Sequence, residues 1–307
     1  MYTKKYYQSA KKCLTTMTQI NGFINLYKNS GITSNKALST LKNILKENNI
    51  STKVGHLGTL DPLAQGVLPV GLGRATRIFA YTLNKVKRYT ATFKFGINTD
   101  TLDSDGKVID NCDVLPTSCQ IKSILNSLVG EIEQVPPAYS AKSINGVRAY
   151  KLARQGEQFT LKPKKVNIFS IELLQQIDDA TYTFDIACSG GTYIRAIVRD
   201  IAKLLNTYGI MTQLTRTQSG YFNIDTCVKI EDIKENLHKY IIPIDKPLEY
   251  MPKYIVKDKH KKLVLNGVAV SLDDLPNGYF RVYIDDKLIG IAERNQENRL
   301  KIKTWLL

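Results

Sequence analysis

The feature that most constrains this chain is an otherwise uncharged run from Gly55 to Gly73 that contains a single carboxylate, Asp61. Glycines close to the acid allow unusual backbone conformations and the close approach of another molecule. Leucines and valines fill many of the other positions, so the acid is expected at the edge of a packed core. A carboxylate there needs a partner, because burying an unpaired charge is costly. A second interpretation is that Asp61 caps a short helix whose first residue is Pro62.

The charge of the chain favours a polyanionic partner. Lysine and arginine number 43 against 28 acidic residues, which gives a formal net charge of +15. Such an excess is typical of proteins that bind nucleic acid, although a lysine-rich parent genome would account for part of it. The length of 307 residues and the hydrophobic content of 43% are sufficient for one large domain or two domains with their own cores.

The cysteines and histidines form no metal-binding pattern. The five cysteines are odd in number and share no repeating spacing, which is typical of reduced cytosolic thiols. The three histidines stand apart from them, so we expect no structural zinc. No apolar run is long enough to span a bilayer, and Met1 to Thr16 lacks the apolar core of a secretory signal. We therefore expect a cytoplasmic protein with no metal and no membrane association.

Hydrophobic periodicity predicts the order of the elements. The expected elements are a strand over 22–28, a helix capped by Thr33 or Ser34, helical segments over 74–83, 121–128 and 194–205, and strands over 88–97, 166–174, 182–188 and 213–222. The acidic segment 99–106 lacks the terminal glutamate of a calcium loop, so we interpret it as a solvated turn. Short alternating segments after a break near Pro243 to Pro252 predict a small β domain.

Two segments of the second half carry functional expectations. Residues 136–156 are basic and contain tyrosines, so we expect a loop and hairpin placed against RNA, with an ordinary exposed hairpin as the alternative. Arg195 lies in the first turn of a helix that follows two glycines. The amide groups of such a turn favour an anion, so a cation is misplaced there unless a carboxylate meets it. The alternative is a surface arginine with a packed stem.

Five motifs together resemble those of a known family. They are Gly55-His56-Leu57-Gly58-Thr59-Leu60-Asp61-Pro62-Leu63-Ala64-Gln65-Gly66-Val67-Leu68, Arg88-Tyr89, Pro137-Ala138-Tyr139-Ser140-Ala141, Gly191-Thr192-Tyr193-Ile194-Arg195 and Leu214-Thr215-Arg216-Thr217. In this order they resemble the motifs of the TruB-type tRNA pseudouridine synthases, over nearly the whole chain. The first motif is highly specific because it is long, whereas the shorter ones would be weak alone.

The resemblance implies an α+β protein with the pseudouridine synthase fold, in which helices flank a mixed, mainly antiparallel central sheet. Residues 1–246 would form the catalytic domain, and the insertion at about 136–156 would bind RNA. Residues 247–307 look like a PUA domain, a small RNA-binding β-barrel.

The resemblance also implies a reaction, the isomerisation of uridine 55 in the T-loop of tRNA to pseudouridine. The base would be flipped out of the loop, detached from C1′ of the ribose and rejoined through C5. Asp61 would be the catalytic carboxylate, either as nucleophile or as base on the ribose, and Arg195 would be its ion-pair partner. Tyr89 would stack on the uracil. Four other positions match residues that contact the substrate or lie beside the site: His56, Tyr193, Leu214 and Lys28.

The same resemblance implies no cofactor and no metal, the T-stem and loop of tRNA as partner, and a monomer. Two alternatives are a dyskerin-like catalytic subunit that takes its specificity from a guide RNA, and a non-catalytic protein that binds or folds tRNA. The insertion at 136–156 and the lack of a long lysine-rich tail favour the stand-alone enzyme over the first. A non-catalytic protein would be expected to have lost Asp61, Tyr89 or Arg195, and all three are present.

Overall fold

The structure is a computed structural model that describes residues 19–82, 85–144 and 146–307. The basic amino-terminal tail, including Cys13, and Asn145 of the predicted hairpin lie outside the described residues. The helices are α1 (Ser34–Glu47), α2 (Phe79–Thr82), α3 (Ser118–Leu125), α4 (Ala149–Arg154), α5 (Ile194–Leu204), α6 (Ile230–Glu235) and α7 (Asp258–Leu265).

The strands before residue 250 are β1 (Gly22–Lys28), β2 (Val54–His56), β3 (Gln65–Leu72), β4 (Lys87–Phe95), β5 (Ile97–Thr99), β6 (Val108–Asn111), β7 (Gly130–Gln134), β8 (Ser143–Ile144), β9 (Val147–Arg148), β10 (Lys164–Gln176), β11 (Thr181–Cys188), β12 (Gly209–Ser219) and β13 (Phe222–Asn223). The strands after it are β14 (Lys253–Ile255), β15 (Val270–Ser271), β16 (Gly278–Ile284), β17 (Lys287–Arg294) and β18 (Arg299–Trp305).

The main sheet has the strand order β1-β3-β12-β4-β11-β10-β7, with β2 paired to β3 and β13 paired to β12. Strands β3 and β12 run parallel, with Arg216 opposite Gly66. The other pairings along this order are antiparallel. The predicted mixed, mainly antiparallel sheet is therefore confirmed. Its parallel pairing joins β3, which lies in the glycine-rich run 55–73, to β12, which carries the motif Leu214-Thr215-Arg216-Thr217.

Strand β4 forms as its alternation predicts. Tyr89, Ala91 and Phe93 are buried, whereas Arg88 on the opposite face is exposed and pairs with Asp185 of β11 at 2.8 Å. Side chains of neighbouring residues point to opposite faces of a strand, so one face of β4 serves the core and the other faces solvent. The strand ends at Phe95, and the next residue, Gly96, has a φ of +85° that turns the chain.

Helix α1 begins after Thr33, whose hydroxyl accepts a hydrogen bond from the Lys36 amide, as one of the two predicted caps. Helices α3 and α5 pack on the sheet against β10 and β12, respectively. The predicted helix over 74–83 is partly replaced by a 3-10 helix over Gly73–Ile78, followed by the short α2. Leu83 lies outside the described residues. The predicted hairpin is present as β8 and β9, and α4 follows it.

The carboxy-terminal strands form a second sheet with the order β14-β16-β17-β18-β15. Its own core includes Phe280, Val282 and Leu300. Ile291 and Leu306 instead pack with Phe23 of β1 and with Leu57. The second sheet therefore also packs against the glycine-rich loop, residues 57–64, which joins β2 to β3. In the described part of the chain, no helix is long and apolar enough to cross a membrane.

Candidate active site

Asp61 lies in the loop that joins β2 to β3, and 40% of its side chain is exposed. The structure describes every residue of this loop, 57–64, and none of them is helical. The interpretation of Asp61 as a helix cap is therefore wrong. The Ser34 hydroxyl holds the loop from the start of α1, because it bonds to both the amide and the carbonyl of Leu60 at 2.9 Å. The acid is thus presented by a fixed backbone while its carboxylate stays accessible.

Two fully buried cations, Lys28 and Arg216, donate hydrogen bonds to backbone carbonyls of the loop and of the start of β3. Lys28 Nζ donates to the carbonyls of Pro62 and Ala64, at 3.2 and 2.6 Å. Arg216 donates from Nη2 to the Gly58 carbonyl at 3.0 Å and from Nε to the Val67 carbonyl at 2.7 Å. Backbone carbonyls satisfy buried cations without neutralising them. Two positive charges therefore lie directly under the loop that carries Asp61.

Arg195 is the partner of Asp61. Only 7% of its side chain is exposed, and Nη2 lies 2.9 Å from Asp61 Oδ2. Nη1 donates to the Thr101 carbonyl at 2.8 Å, and Nη2 also donates to the Tyr139 carbonyl at 3.0 Å. The interpretation of Arg195 as a surface arginine is therefore wrong. A cation in the first turn of a helix requires an anionic partner, and Asp61 is that partner for Arg195.

A second carboxylate faces Arg195 from the acidic turn. Asp103 is 5% exposed, and its Oδ2 lies 3.4 Å from Arg195 Nη1. Its Oδ1 accepts hydrogen bonds from the Thr101 hydroxyl and the Asp105 amide. Burial raises the pKa of Asp103, while the Thr101 hydrogen bond and the Arg195 charge oppose that shift. The expected solvated turn is wrong at Asp103, because this side chain is part of the ionic network; Asp105 in the same turn is exposed.

Three further predicted residues are affected by the charge of Asp61. Tyr89 is buried on β4, and Tyr193 immediately precedes α5. Burial raises the pKa of both tyrosines, and the negative charge of Asp61 adds to each shift. Burial lowers the pKa of Lys28 to about 8, against the opposing effect of Asp61. Both phenols therefore keep their protons at neutral pH, and all three side chains lie within the electrostatic reach of Asp61.

The two remaining predicted residues, His56 and Leu214, form no hydrogen bond or ion pair with Asp61 within the part of the chain that the structure describes. His56 ends β2, and among the described residues its buried Nδ1 has no hydrogen-bond partner. Burial lowers the pKa of His56, and the positive charge of Arg216 adds to the shift, so the ring is neutral at pH 7. Leu214 is 7% exposed and lies opposite Ala91, the second residue after Tyr89 on β4.

The backbone of Tyr193 is fixed by a side chain from the edge of the sheet. Gln134 is 1% exposed; its Oε1 accepts from the Tyr193 amide at 2.8 Å and its Nε2 donates to the Tyr193 carbonyl at 3.2 Å. These two bonds fix the entry into α5, two residues before Arg195. Among the described residues, no group of three or more His, Cys, Asp or Glu side chains could hold a metal ion.

Comparison with known proteins assigns the chain to a family. It is 42% identical to tRNA pseudouridine synthase B of Clostridium perfringens (strain 13) over 287 residues, which cover 91% of this chain and 96% of the relative. The corresponding protein of Clostridium kluyveri is 40% identical over 280 residues, which cover 89% and 95%. The TruB family pseudouridylate synthase N-terminal domain matches residues 42–194, and the tRNA pseudouridylate synthase B C-terminal domain matches residues 195–249. The chain belongs to the TruB family.

Solved structures show that this TruB-family chain has the pseudouridine synthase fold. A chain from a Cbf5-Nop10-Gar1 complex matches with a TM-score of 0.70 and 25% identity, over 93% of this chain and 85% of that one. A chain from an H/ACA RNP bound to a substrate RNA containing 2′-deoxyuridine matches with a TM-score of 0.70 and 23% identity, over the same shares.

The resemblance to the TruB family did not identify four of the residues that shape this site. They are Ser34, Asp103, Gln134 and Arg216. Arg216 lies within the last of the five motifs, and its uncharged neighbours in β12 are typical of a buried strand, which indicates that the arginine is buried with a specific role. Ser34, Asp103 and Gln134 act through contacts with residues 26 or more positions away, which no local pattern encodes.

Proposed function

We propose that this chain isomerises uridine to pseudouridine in tRNA, at position 55 of the T-loop, and that Asp61 is the catalytic carboxylate. The curated relatives that cover most of the chain support the tRNA reaction, because they carry the name tRNA pseudouridine synthase B. The observation that carries the assignment of the acid is the ion pair between Asp61 and Arg195 at 2.9 Å.

The ion pair joins the carboxylate of Asp61, which is partly exposed, to the buried guanidinium cation of Arg195. Arg195 is held by two carbonyls and a second carboxylate, so its position does not depend on Asp61 alone. Asp61 keeps 40% of its side chain exposed and can therefore reach a substrate atom. A carboxylate whose partner is fixed in this way is positioned before the substrate arrives, which lowers the cost of reaching the transition state.

The reaction is balanced within one nucleotide. The bond between C1′ and N1 breaks, a bond between C1′ and C5 forms, C5 loses its proton and N1 gains one, so no electrons are exchanged with another molecule. Asp61 attacks the nucleotide or removes a proton from the ribose at the first step. The Tyr89 ring stacks on the uracil while it turns, and its raised pKa keeps the phenol protonated. His56, Tyr193 and Leu214 line the rest of the site, and Lys28 lies beside it, under the loop that carries Asp61.

A uridine within a folded T-loop has to be extruded before Asp61 can act on it, at a cost of roughly a few kcal/mol. Stacking on Tyr89 and phosphate contacts from the positively charged surface offset this cost. We infer that the insertion at 136–156 takes part, because Tyr139 within it already accepts a hydrogen bond from Arg195.

Three further assignments belong to this proposal. Residues 1–246 act as the catalytic domain, and residues 247–307 act as a PUA-like RNA-binding domain; the separate core of the second sheet supports the division. The protein works as a monomer without a metal or an organic cofactor, since the isomerisation requires neither. It acts in the cytoplasm, where its substrate tRNA is modified.

A guide-RNA-dependent enzyme is the second candidate, because the chain shares its fold with the Cbf5 complex. The stand-alone enzyme is favoured by curated relatives at about 40% identity over most of the chain, which are named for tRNA. Release of tritium without any guide RNA separates the two.

The test uses T-loop RNA that carries tritium at C5 of the uridine, in buffer without metal ions. We expect the wild-type protein to release tritium to water, and Asp61→Asn to release none while its Kd for the RNA changes by less than about threefold. Asp113→Asn, which changes an exposed acid, is the matched control and should behave as wild type. An active Asp61→Asn variant would overturn the assignment of the acid.

A further inference from the structure

The loop that carries Asp61 has little internal structure to hold it. Residues 57–64, all of which the structure describes, contain no helix and no strand. One backbone hydrogen bond lies within the loop, from the Ala64 amide to the Asp61 carbonyl at 3.1 Å. A catalytic group on a loop must be fixed by its surroundings, because an error of about 1 Å in its position can cost roughly 100-fold in rate. The contacts that other segments make with this loop therefore determine where the Asp61 carboxylate lies.

Much of the support comes from the connection between β1 and α1, residues 29–33, and from the residues that flank it. The Gly31 amide donates to the Pro62 carbonyl at 2.9 Å, and the φ of +83° at Gly31 turns the chain at this point. Lys28 and Ser34, on either side of the connection, also donate to loop carbonyls. The second half of the loop is therefore held mainly by one short segment that precedes it in the chain.

Ser30, which lies outside the five family motifs, adds a further contact to this support. Its side chain is exposed, and its Oγ donates to the Leu63 carbonyl at 2.7 Å. Leu63 lies two residues after Asp61. The partner of Ser34 is Leu60, which lies directly before the acid. The two serine hydroxyls therefore fix the backbone on both sides of the Asp61 carboxylate.

Other hydroxyls of α1 make contacts of a different kind. Ser39 Oγ donates to the Asn35 carbonyl at 2.9 Å, and Thr40 Oγ1 donates to the Lys36 carbonyl at 3.1 Å. Both acceptors lie four residues earlier in the same helix, which is a common local hydrogen bond of serine and threonine. Ser30 instead donates to a residue 33 positions away. Its hydrogen bond joins two segments of the chain, and one of them carries Asp61.

We propose that Ser30 is a positioning residue for the reaction, which holds Asp61 where it meets both Arg195 and the substrate. The inference rests on the proposed function, since it takes Asp61 as the catalytic carboxylate. The hydrogen bond of Ser30 is exposed, so water can hydrate the Leu63 carbonyl when the hydroxyl is removed, and little stability is lost.

A water molecule does not tie the loop to the connection 29–33. Without the Ser30 hydroxyl, the loop therefore moves more, while Arg195 stays fixed by its two carbonyls and Asp103. The rate of the chemical step falls, because the carboxylate spends less time in the productive position. The affinity for RNA does not depend on this hydrogen bond.

The test compares Ser30→Ala, Ser30→Thr and Ser30→Val with the wild type. Threonine keeps the hydroxyl, and valine has nearly the shape of threonine without it. We expect Ser30→Ala and Ser30→Val to lower kcat for tritium release about 5-fold, with KM within about twofold of wild type. Ser30→Thr should keep the wild-type kcat. Ser39→Ala, which removes the local hydrogen bond on α1, is the matched control and should also keep it.

A second measurement does not depend on activity. Hydrogen–deuterium exchange of the peptide that covers 57–64 reports how firmly the loop is held. We expect faster exchange of this peptide in Ser30→Ala and Ser30→Val, with the urea midpoint of unfolding unchanged. Ser30→Thr and Ser39→Ala should exchange at the wild-type rate.

Two results would overturn the inference. One is a kcat that is equal in Ser30→Val and Ser30→Thr, because the hydroxyl would then be irrelevant. The other is a loss of kcat that is matched by a fall in the urea midpoint, which would assign Ser30 a purely structural role.

Tritium release by the wild type tests the proposed function separately. Loop exchange that depends on the Ser30 hydroxyl, without tritium release by the wild type, would support the contact and contradict the isomerase assignment. Normal tritium release with no dependence on the Ser30 hydroxyl would do the opposite.

Discussion

Arg195 makes more contacts than a simple ion-pair partner would. Its guanidinium meets Asp61, Asp103 and two backbone carbonyls, and it is almost fully buried. A buried guanidinium needs acceptors for its donors, since an unsatisfied charge in the interior is costly. Asp103 and the carbonyls supply them from the protein, so Asp61 does not have to hold the arginine in place. Asp61, the acid that we propose acts on the substrate, is therefore separate from Asp103, the acid that supports the arginine.

We predict that Asp103→Asn lowers activity without preventing RNA binding. The amide can still accept from Thr101, but it removes the negative charge beside Arg195, which costs roughly 1–3 kcal/mol of stability. Single-turnover tritium release should fall at least 10-fold, and urea denaturation should show the loss of stability. Asp105→Asn changes the exposed acid of the same turn and should leave both quantities unchanged. Equal activity of the two variants would contradict a role for Asp103.

The pH dependence of the free energy of unfolding should show that Lys87 is desolvated in the native state. Its pKa is about 8 in the native state and about 10.4 in an unfolded chain, so the unfolded state binds more protons between these values. The free energy of unfolding therefore rises with pH in that window. We predict that Lys87→Met is more stable than wild type at pH 7, by roughly 1–3 kcal/mol, and that this advantage shrinks between pH 8 and 10. Urea titrations at pH 7, 8, 9 and 10 measure it, and a constant difference would show that Lys87 is not desolvated.

At the scale of elements, the start of helix α5 depends on strand β7. Gln134 ends this edge strand and holds the Tyr193 backbone by two hydrogen bonds, and Arg199 of α5 donates to the Val135 carbonyl at 3.0 Å. The insertion leaves the sheet directly after these residues, and β10 returns opposite them, with Lys164 paired to Gln134. The base of the insertion and the helix that carries Arg195 are thus connected directly.

We predict that Gln134→Ala impairs the chemical step more than binding. Two backbone groups of Tyr193 lose their partners, so the first turn of α5 and Arg195 become less well fixed, at a cost of roughly 1–3 kcal/mol. The kcat of tritium release should fall about 10-fold while KM changes less than threefold. Glu133→Ala alters the exposed neighbour on the same strand and serves as control. A change in KM alone would contradict this prediction.

Local patterns predicted many of the helices and strands but not β3, and they did not predict the contacts between elements. The alternation of β4 and the spacing of Leu38, Leu41 and Leu45 in α1 are local properties, so the sequence predicts which faces are buried. The pair of Asp61 and Arg195 was predicted only through family resemblance. Asp103 was assigned to solvent because its neighbours are acidic and polar, and only the distant Arg195 explains its burial.

At the scale of the whole molecule, the second sheet is packed against the region of the main sheet. Leu306 and Ile291 share a core with Leu57, which begins the loop that carries Asp61. Polar contacts reinforce this packing: Arg74 donates to the Leu306 carbonyl at 3.0 Å, and the Tyr81 hydroxyl lies 2.9 Å from that of Thr304. The stability of the loop is therefore connected to the carboxy-terminal residues.

We predict that the two sheets unfold together. Leu306→Ala should cost roughly 2–5 kcal/mol, the usual range for a buried leucine, and should lower the urea midpoint of both tritium-release activity and Trp305 fluorescence by the same amount. Trp305 is the single tryptophan of the chain and reports on the second sheet. Leu307→Ala, at a more exposed position, is the control. Separate midpoints for the two signals would show independent unfolding.

The parallel pairing of β3 with β12 places Gly66 beside Arg216, 150 residues later in the chain. During synthesis the segment around Asp61 emerges first and has to wait for Arg216, which arrives roughly 10–30 s later at ordinary elongation rates. Until then the glycine-rich loop lacks two of its carbonyl anchors, and contacts of such long sequence separation form slowly. The nascent chain therefore remains without an assembled active site until about two thirds of it has been translated.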